Sequence, residues 1–353
     1  MKTVSVNTGS PYRVIIQNDS LSLCGARIRS VFPDCSRAAV ITDDTVASLS
    51  LPCVVSSLEQ QGFSVCVFTF PHGEDSKSAA VLMEIYRFLA EHNITRGDFL
   101  VALGGGVVGD LAGFAAATYL RGIPFVQIPT TFLAAIDSSV GGKTAINIEA
   151  GKNLVGAFHQ PALVLCDPQV FKTLSPEIFA DGCAEMIKYA MIWSEDFFRF
   201  LEQGSIREHM EEIVAYCVDI KRQVVEQDEH DCGIRMILNY GHTLGHAIEK
   251  VTNHTVTHGQ GVAMGMMLIT RLAAGLDRCS PELLPRLSAV LKKYRLPDRY
   301  CGSLCKLAES CLVDKKRTGS KIRLILVPEI GKAEIVPVDV DRFTALLQEE
   351  SSC

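Results

Sequence analysis

FLVALGGGVVGDLAGFAAATY, residues 99–119, changes its period halfway along. Phe99 to Leu103 is a short continuous apolar run, the pattern of a strand buried on both faces. Val107 to Tyr119 has helical spacing. Between them, Gly104-Gly105-Gly106-Val107-Val108-Gly109 matches G-x-G-x-x-G in the strand–turn–helix setting that gives the motif its chemistry. Free N–H groups at the helix start would face a pyrophosphate, and glycines let the backbone come close to it. The acid expected about 20 positions later to hold a ribose is missing; Arg121 and Gly122 stand there instead. This is therefore not the standard dinucleotide fingerprint. Asp43 and Glu74, each just after an expected strand, are placed to serve the nucleoside, because ligands collect at strand carboxyl ends.

The surrounding sequence keeps the same alternation. Ser5-Val6, Arg13 to Ile16, Ala38 to Thr42, Val65 to Phe70 and Phe125 to Ile128 read as strands, and a helix is expected from about Ser78 to His92. That order predicts an α/β domain with a mostly parallel sheet, covered on both faces. From Pro176 the period turns helical, with helices expected near 177–192, 195–202, 207–227, 233–250, 259–274 and 281–294. One late strand pair is expected, Ile322 to Val327 with Glu334 to Val338. The reading is a Rossmann-like nucleotide-binding domain over 1–175 and an α-helical metal- and substrate-binding domain over 176–353.

Composition narrows the function classes. The chain has 353 residues, 48% hydrophobic and 21% charged, with a net charge of −6. No basic cluster points to nucleic acid. No apolar run approaches the roughly 18 residues of a membrane span. The 13 cysteines include no C-x-x-C pair. Reduced, mostly buried thiols and a start without a signal peptide predict a cytoplasmic protein.

Two further stretches carry chemistry. Asp137-Ser-Ser-Val-Gly-Gly-Lys-Thr144 mimics the end of a P-loop, but Asp137 stands where the first glycine is required, which excludes an NTPase. Its Gly-Gly turn with Lys143, followed by Gly151-Lys152-Asn153, still reads as an anion cradle. The second stretch is Arg235 to His258. Wound as one helix, it sets Arg235, Asn239, His242, His246 and Glu249 on a single face, while Gly241 and Gly245 leave a strip where another backbone can approach. His242 and His246 have the i, i+4 spacing of helical zinc ligands, and His258 opens the next helix. Upstream, Glu185 and Lys188 lie in an apolar helix, where charges are costly unless paired or bound to metal. One Glu and two His would leave open positions on a zinc ion, the catalytic pattern.

Together these motifs resemble the 3-dehydroquinate synthase family. The resemblance rests on Pro71-His-Gly-Glu-Asp-Ser-Lys77, Gly104 to Asp110, Ile128-Pro-Thr-Thr131, Asp137 to Thr144, Gly151-Lys-Asn153, Gly156 to Pro161, Ala184 to Tyr189, Leu238 to Ala247 and Asp314-Lys-Lys316. It implies the shikimate-pathway conversion of 3-deoxy-D-arabino-heptulosonate 7-phosphate to 3-dehydroquinate and phosphate. The steps are transient oxidation by NAD, β-elimination of phosphate, reduction and intramolecular aldol closure, so the enzyme is a carbon–oxygen lyase with dehydrogenase parts.

By position, the resemblance makes Glu185, His242 and His258 ligands of one zinc or cobalt ion per subunit, and His246, Asp231 and Lys188 catalytic. Asp43, Glu74, Lys77, Gly105, Gly106, Val107, Val108, Gly109, Asp110, Thr130, Thr131, Lys143, Lys152 and Thr173 are expected at NAD. Asp137, Lys143, Lys152, Asn153, Lys188, Lys221, Arg235, Asn239, His246 and Arg323 are expected at the substrate, with Arg121 reaching across a homodimer. Asp231 and Gln260 stand where the family usually has Glu. Asp231, four residues before Arg235, is expected on the same helical face. The competing readings are another sugar phosphate cyclase, a metal-dependent polyol or glycerol-phosphate dehydrogenase, and a non-catalytic NAD-binding regulator.

Overall fold

The computed structural model describes residues 1–253, 255–313 and 321–350; the Asp314-Lys315-Lys316 motif and His254 lie outside the described residues. In chain order the elements are β1 (Lys2–Val6), β2 (Tyr12–Ile16), α1 (Cys24–Val31), β3 (Arg37–Asp43), α2 (Asp44–Leu49), α3 (Leu51–Gln60), β4 (Ser64–Phe70), α4 (Ala79–Glu91), β5 (Phe99–Gly104), α5 (Gly106–Thr118), β6 (Phe125–Pro129), β7 (Lys143–Ile148), β8 (Gly151–Phe158) and β9 (Leu163–Cys166). There follow α6 (Pro176–Trp193), α7 (Glu195–Gln203), α8 (Met210–Gln227), α9 (His242–Val251), α10 (His258–Gly275), α11 (Leu283–Lys293), α12 (Leu304–Val313), β10 (Lys321–Glu329), β11 (Lys332–Asp339) and α13 (Val340–Glu350).

The chain forms two compact units, one of residues 1–175 with 209–230, the other of 176–208 with 231–353. The second unit is thus not one continuous stretch from 176. Helix α8 packs on β1, β2 and the turn at Ala134–Ser138, all in the first unit. Its buried face, which includes Ile213, Val214, Cys217 and Val218, finds its core there.

In the first unit a seven-stranded sheet runs in the order β1-β2-β9-β6-β5-β3-β4. Only the β1–β2 pair is antiparallel. Side chains alternate across a strand, and the core follows. Ala39, Ile41, Leu100 and Ala102 join Ile85, Leu89 and Leu111 on one face. Ala38, Val40, Phe99 and Val101 join Ile28, Val54 and Leu58 on the other. This two-sided burial explains the continuous apolar strands. The stretch expected as an anion cradle forms a hairpin, β7 paired antiparallel with β8. Most of β8 is exposed, so it carries no alternation to read.

Among the described residues, the second unit is helical apart from the β10–β11 hairpin. The single helix expected over 233–250 does not form. Residues Ile234–Asn239 make a tight 3-10 segment, Gly241 takes φ +80 as the N-cap, and α9 starts at His242. Asp231 precedes the first of these turns with φ +58, so it does not share a helical face with Arg235. The glycines at 241 and 245 have the packing reason their cost requires. A Cβ on Gly265 of α10 would sit 2.1 Å from the Gly241 carbonyl oxygen, and one on Gly245 would sit 2.9 Å from Gly261. Helices α9 and α10 touch backbone to backbone along this seam.

Candidate active-site residues

In the first unit, β5 delivers the chain to the glycine turn and Gly105 caps α5. A Cβ on Gly105 would lie 3.1 Å from Thr131 Cγ2, and one on Gly106 would lie 3.3 Å from Ser138 Oγ. The hydroxyls of Thr130 and Ser138 are buried without a hydrogen-bond partner among the described residues. Free N–H groups at a helix start, bare backbone and orphaned hydroxyls together suit a phosphate-bearing nucleotide. Val108 is buried and anchors the turn. Gly109 lets α5 sit against Gln127, whose Oε1 would be 2.8 Å from an added Cβ.

Four expected residues meet beside this turn. The buried Lys77 ammonium donates to Asp110 Oδ2 and Asn153 Oδ1. Asn147 ties the group together: it donates to Glu74 Oε1 at 2.7 Å, its Oδ1 accepts from the Asn153 N–H at 3.0 Å, and its own N–H reaches the Lys77 carbonyl at 2.8 Å. Burial pushes the Asp110 carboxyl up, with Lys77 opposing. Lys221 of α8 donates to the Asp137 carboxylate and, at 2.7 Å, to the Asp137 carbonyl.

The remaining expected residues of this unit are engaged locally or lie apart. Asp43 caps α2 by accepting from Val46 at 2.8 Å. Thr131 Oγ1 accepts from Ala134 at 3.1 Å, and Thr173 donates to the Val170 carbonyl at 2.7 Å. Lys143 and Lys152 are exposed on the β7–β8 hairpin. Arg121 follows the far end of α5; at 1.5 Å per residue that is roughly 20 Å from the glycine turn. The structure does not bring it to the nucleotide residues of its own chain.

In the second unit, three elements bring Glu185, His242 and His258 together. Glu185 lies mid-α6 with no solvent exposure. His242 and His258 are the first residues of α9 and α10. Gly241 fixes one start, and the Thr257–Gln260 capping box fixes the other. Gln serves as well as Glu at the third position of such a box, so Gln260 is a conservative departure there. His242 Nε2 and His258 Nε2 lie 3.2 and 3.3 Å from the same oxygen, Glu185 Oε1, and Lys188 contacts Oε2. Neither carboxylate oxygen has a well-formed hydrogen bond. Burial would raise the Glu185 carboxyl, but Lys188 and then His242 hold it well below the usual carboxylate range. Burial likewise opposes charge on His258, while Glu185 and Glu249 push its imidazole up to about 10.

A buried carboxylate facing two ring nitrogens, all within 4.8 Å of one another, fits a divalent cation of nitrogen and oxygen preference. The opposite edges of the rings are engaged as well. His242 Nδ1 lies 3.2 Å from the Tyr240 carbonyl and His258 Nδ1 lies 3.0 Å from Glu249 Oε1.

His246 is not in this set, but its ring centre is 5.3 Å from that of His242 and 5.7 Å from that of His258. Its side chain is exposed, but desolvation by the surrounding protein, followed by those two rings, pushes its imidazole down. His242, His246, Asn239 and Arg323 line a cavity of about 340 Å³. Arg323 Nη1 also lies 3.4 Å from Met236 Sδ. Arg235 is buried in the 3-10 segment. Lys250, Ser310 and Cys311 line the same cavity and were not read from sequence. Lys250 had a signal, its i+4 spacing from His246; Ser310 and Cys311 had none. Asn147 and Ser138 were missed as well: Asn147 acts through Glu74 and Asn153, and Ser138 meets the glycine turn only in the fold, whereas Glu249 stood on the polar face read from the sequence without a role.

Residues 67–181 match the family described as 3-dehydroquinate synthase N-terminal, and residues 182–317 match 3-dehydroquinate synthase C-terminal. The chain is 42% identical over 346 residues to a 3-dehydroquinate synthase of Streptococcus suis (strain 05ZYH33), covering 96% of this chain and 97% of that protein. It is 44% identical over 350 residues to a 3-dehydroquinate synthase of Clostridium perfringens (strain 13 / Type A), covering 97% of this chain and all of that protein, 100%. Among solved structures, a 2-deoxy-scyllo-inosose synthase complexed with carbaglucose-6-phosphate, NAD+ and Co2+ shares the fold. Its TM-score is 0.89 at 24% identity, over 99% of this chain and 100% of the other.

Proposed function

The chain belongs to the 3-dehydroquinate synthase family, and from that premise we propose that it converts 3-deoxy-D-arabino-heptulosonate 7-phosphate to 3-dehydroquinate and phosphate. It is a carbon–oxygen lyase of the shikimate pathway. The observation that carries the reading is the convergence of His242 and His258 on one oxygen of the fully buried Glu185, with His242 also lining a cavity that holds His246, Asn239 and Arg323. A polyol dehydrogenase has less use for Arg323, Lys221, Lys143, Lys152 and Arg235; a substrate bearing both carboxylate and phosphate needs such cations.

Glu185, His242 and His258 hold one Zn2+ or Co2+. When bound, this ion supplies Lewis acidity toward the substrate hydroxyl that is oxidised. The Gly105–Asp110 turn holds NAD with Asp43, Glu74, Lys77, Thr130, Thr131, Lys143, Lys152 and Thr173. Bound there, NAD supplies a hydride acceptor that is regenerated within each cycle. His246, kept neutral beside two other imidazoles, accepts a proton at the cavity wall. Lys188 stays with Glu185 and neutralises a carboxylate that burial would otherwise penalise. Asp231 serves as a proton acceptor. Arg235, Lys221 and Arg323 meet the anionic ends of the substrate, and Asn239, Asn153 and Asp137 meet its hydroxyl groups.

The protein works in the cytoplasm as a homodimer on a small-molecule substrate, without nucleic acid or membrane. Every described cysteine is a free thiol, which suits a reducing compartment. No helix among the described residues is long and apolar enough to cross a membrane. Leu154, Val155 and Phe158 are exposed on β8, and exposed apolar strands are normally covered. The base of this hairpin adjoins the loop after Arg121, through His159 Nε2 and the Ile123 carbonyl at 2.9 Å.

The test is phosphate release from the heptulosonate phosphate in the presence of NAD. The expected result is release that stops on chelation and returns with zinc. Release that ignores chelation overturns the metal role, and no release overturns the substrate.

A further inference from the structure

Glu249 is a buried carboxylate that the reaction as described does not use. It lies two turns into α9, and its Oε1 stands 3.0 Å from His258 Nδ1. A carboxylate only accepts, so Nδ1 carries a hydrogen toward Glu249; Nε2 faces a second carboxylate oxygen, Glu185 Oε1 at 3.3 Å, and a metal ion held there would take the place of the Nε2 hydrogen. The glycine seam makes this contact possible: a Cβ on Gly261 would meet Glu249 Cγ at 3.2 Å. The backbone approach of α9 to α10 is therefore what lets a residue of one helix reach the first residue of the other. His242 has the same arrangement with a weaker acceptor, the Tyr240 carbonyl at 3.2 Å.

We propose that Glu249 is the positioning residue of the metal centre, fixing the tautomer and ring orientation of His258 through Nδ1 so that Nε2 is presented as a ligand. Partners of this kind typically carry about 10–100-fold in metal affinity. The inference rests on the metal reading above. It differs from a second possibility, in which Glu249 itself ligates a cation together with His246 and His258, whose donor atoms also lie within 4.8 Å of one another.

The experiment measures zinc affinity of the full chain by competition with a chromophoric chelator, and the visible spectrum of the Co2+-loaded protein. Glu249→Ala is expected to weaken zinc binding by about 10–100-fold and to alter the cobalt bands. Glu249→Gln, which still accepts from Nδ1, recovers most of the affinity and the parent spectrum. If Glu249→Ala does not fold, as judged by far-UV circular dichroism, Glu249→Asp withdraws the acceptor by one methylene and is expected to shift affinity in the same direction. Parent-like affinity in the Ala or Asp variant, with only a lowered melting temperature, overturns the proposal. A Gln variant as weak as Ala also overturns it, in favour of direct ligation. A parent chain that binds no zinc, or whose binding survives His242→Ala, fails the metal reading itself and is recognised separately.

Discussion

Asp231 holds a left-handed backbone, φ +58, a region that costs most residues roughly 1–2 kcal/mol and that, after glycine, Asn and Asp tolerate best. Asp231→Asn therefore removes the charge and keeps the conformation. If the carboxylate accepts a proton, turnover falls about 100-fold or more while the melting temperature holds. Unchanged turnover, measured on the same preparation, rules the role out. Asp231→Glu restores the residue usual in the family but forfeits the backbone preference; it is expected to lose about 1 kcal/mol of stability and to stay within about tenfold in rate. His258→Ala should lose bound zinc and keep its fold, because the Thr257–Gln260 box that starts α10 does not involve the His258 side chain. Atomic absorption checks this, and a full zinc complement would remove His258 from the ligand set. At this scale the sequence was legible in residue identity but not in orientation. Spacing left His242 and His246 equivalent, and only family matching separated them. The backbone at Asp231 and Gly241 could not be read, because helical periodicity continues across a left-handed break as though none were there.

The α9–α10 seam is the element on which the metal residues depend. Gly265→Ala places a Cβ 2.1 Å from the Gly241 carbonyl oxygen, a backbone atom that cannot swing aside. Overpacking of this kind costs about 3 kcal/mol, read as a lower urea midpoint at unchanged slope; a parent-like midpoint would mean that the seam separates freely. A second contact joins α7 and α11. Arg286 reaches Glu202 at 2.8 and 2.7 Å and Glu195 at 2.9 Å. The Arg286 hydrogen bond holds the Glu202 carboxyl below its ordinary range. A carboxyl depressed in the folded state contributes stability that is present above its unfolded value, about 4.3, and is lost as pH falls through the folded value. The stability gap between the parent and Arg286→Ala should therefore be steady near neutrality and close below about pH 4. A gap independent of pH would assign the effect to packing. The buried strands and long helices were legible because their apolar patterns are strong. The β7–β8 hairpin and α1–α3, α12 and α13 were not, being exposed, short, or both.

At the scale of the molecule, the chain returns to the first unit for residues 209–230 before resuming the second. The apolar face of α8 is plain in sequence, but a face does not say which core it joins. The subunit arrangement belongs to this scale too. If Arg121 serves a partner's substrate, then Arg121→Ala and His258→Ala are each inactive alone, yet mixing them restores activity, since a mixed dimer contains one site with both an intact arginine and an intact metal set. Mixed dimers that form without restored activity would confine Arg121 to another role. The central claim is that dehydrogenase parts run a reaction with no net redox change. It is tested most directly by giving the zinc-loaded chain excess heptulosonate phosphate with NAD at a small fraction of the substrate concentration, and recording phosphate and NADH absorbance together. The account predicts complete phosphate release over many cycles of each NAD, with no accumulating NADH. Conversion that halts once NAD is consumed, with one NADH for each substrate turned over, would contradict it.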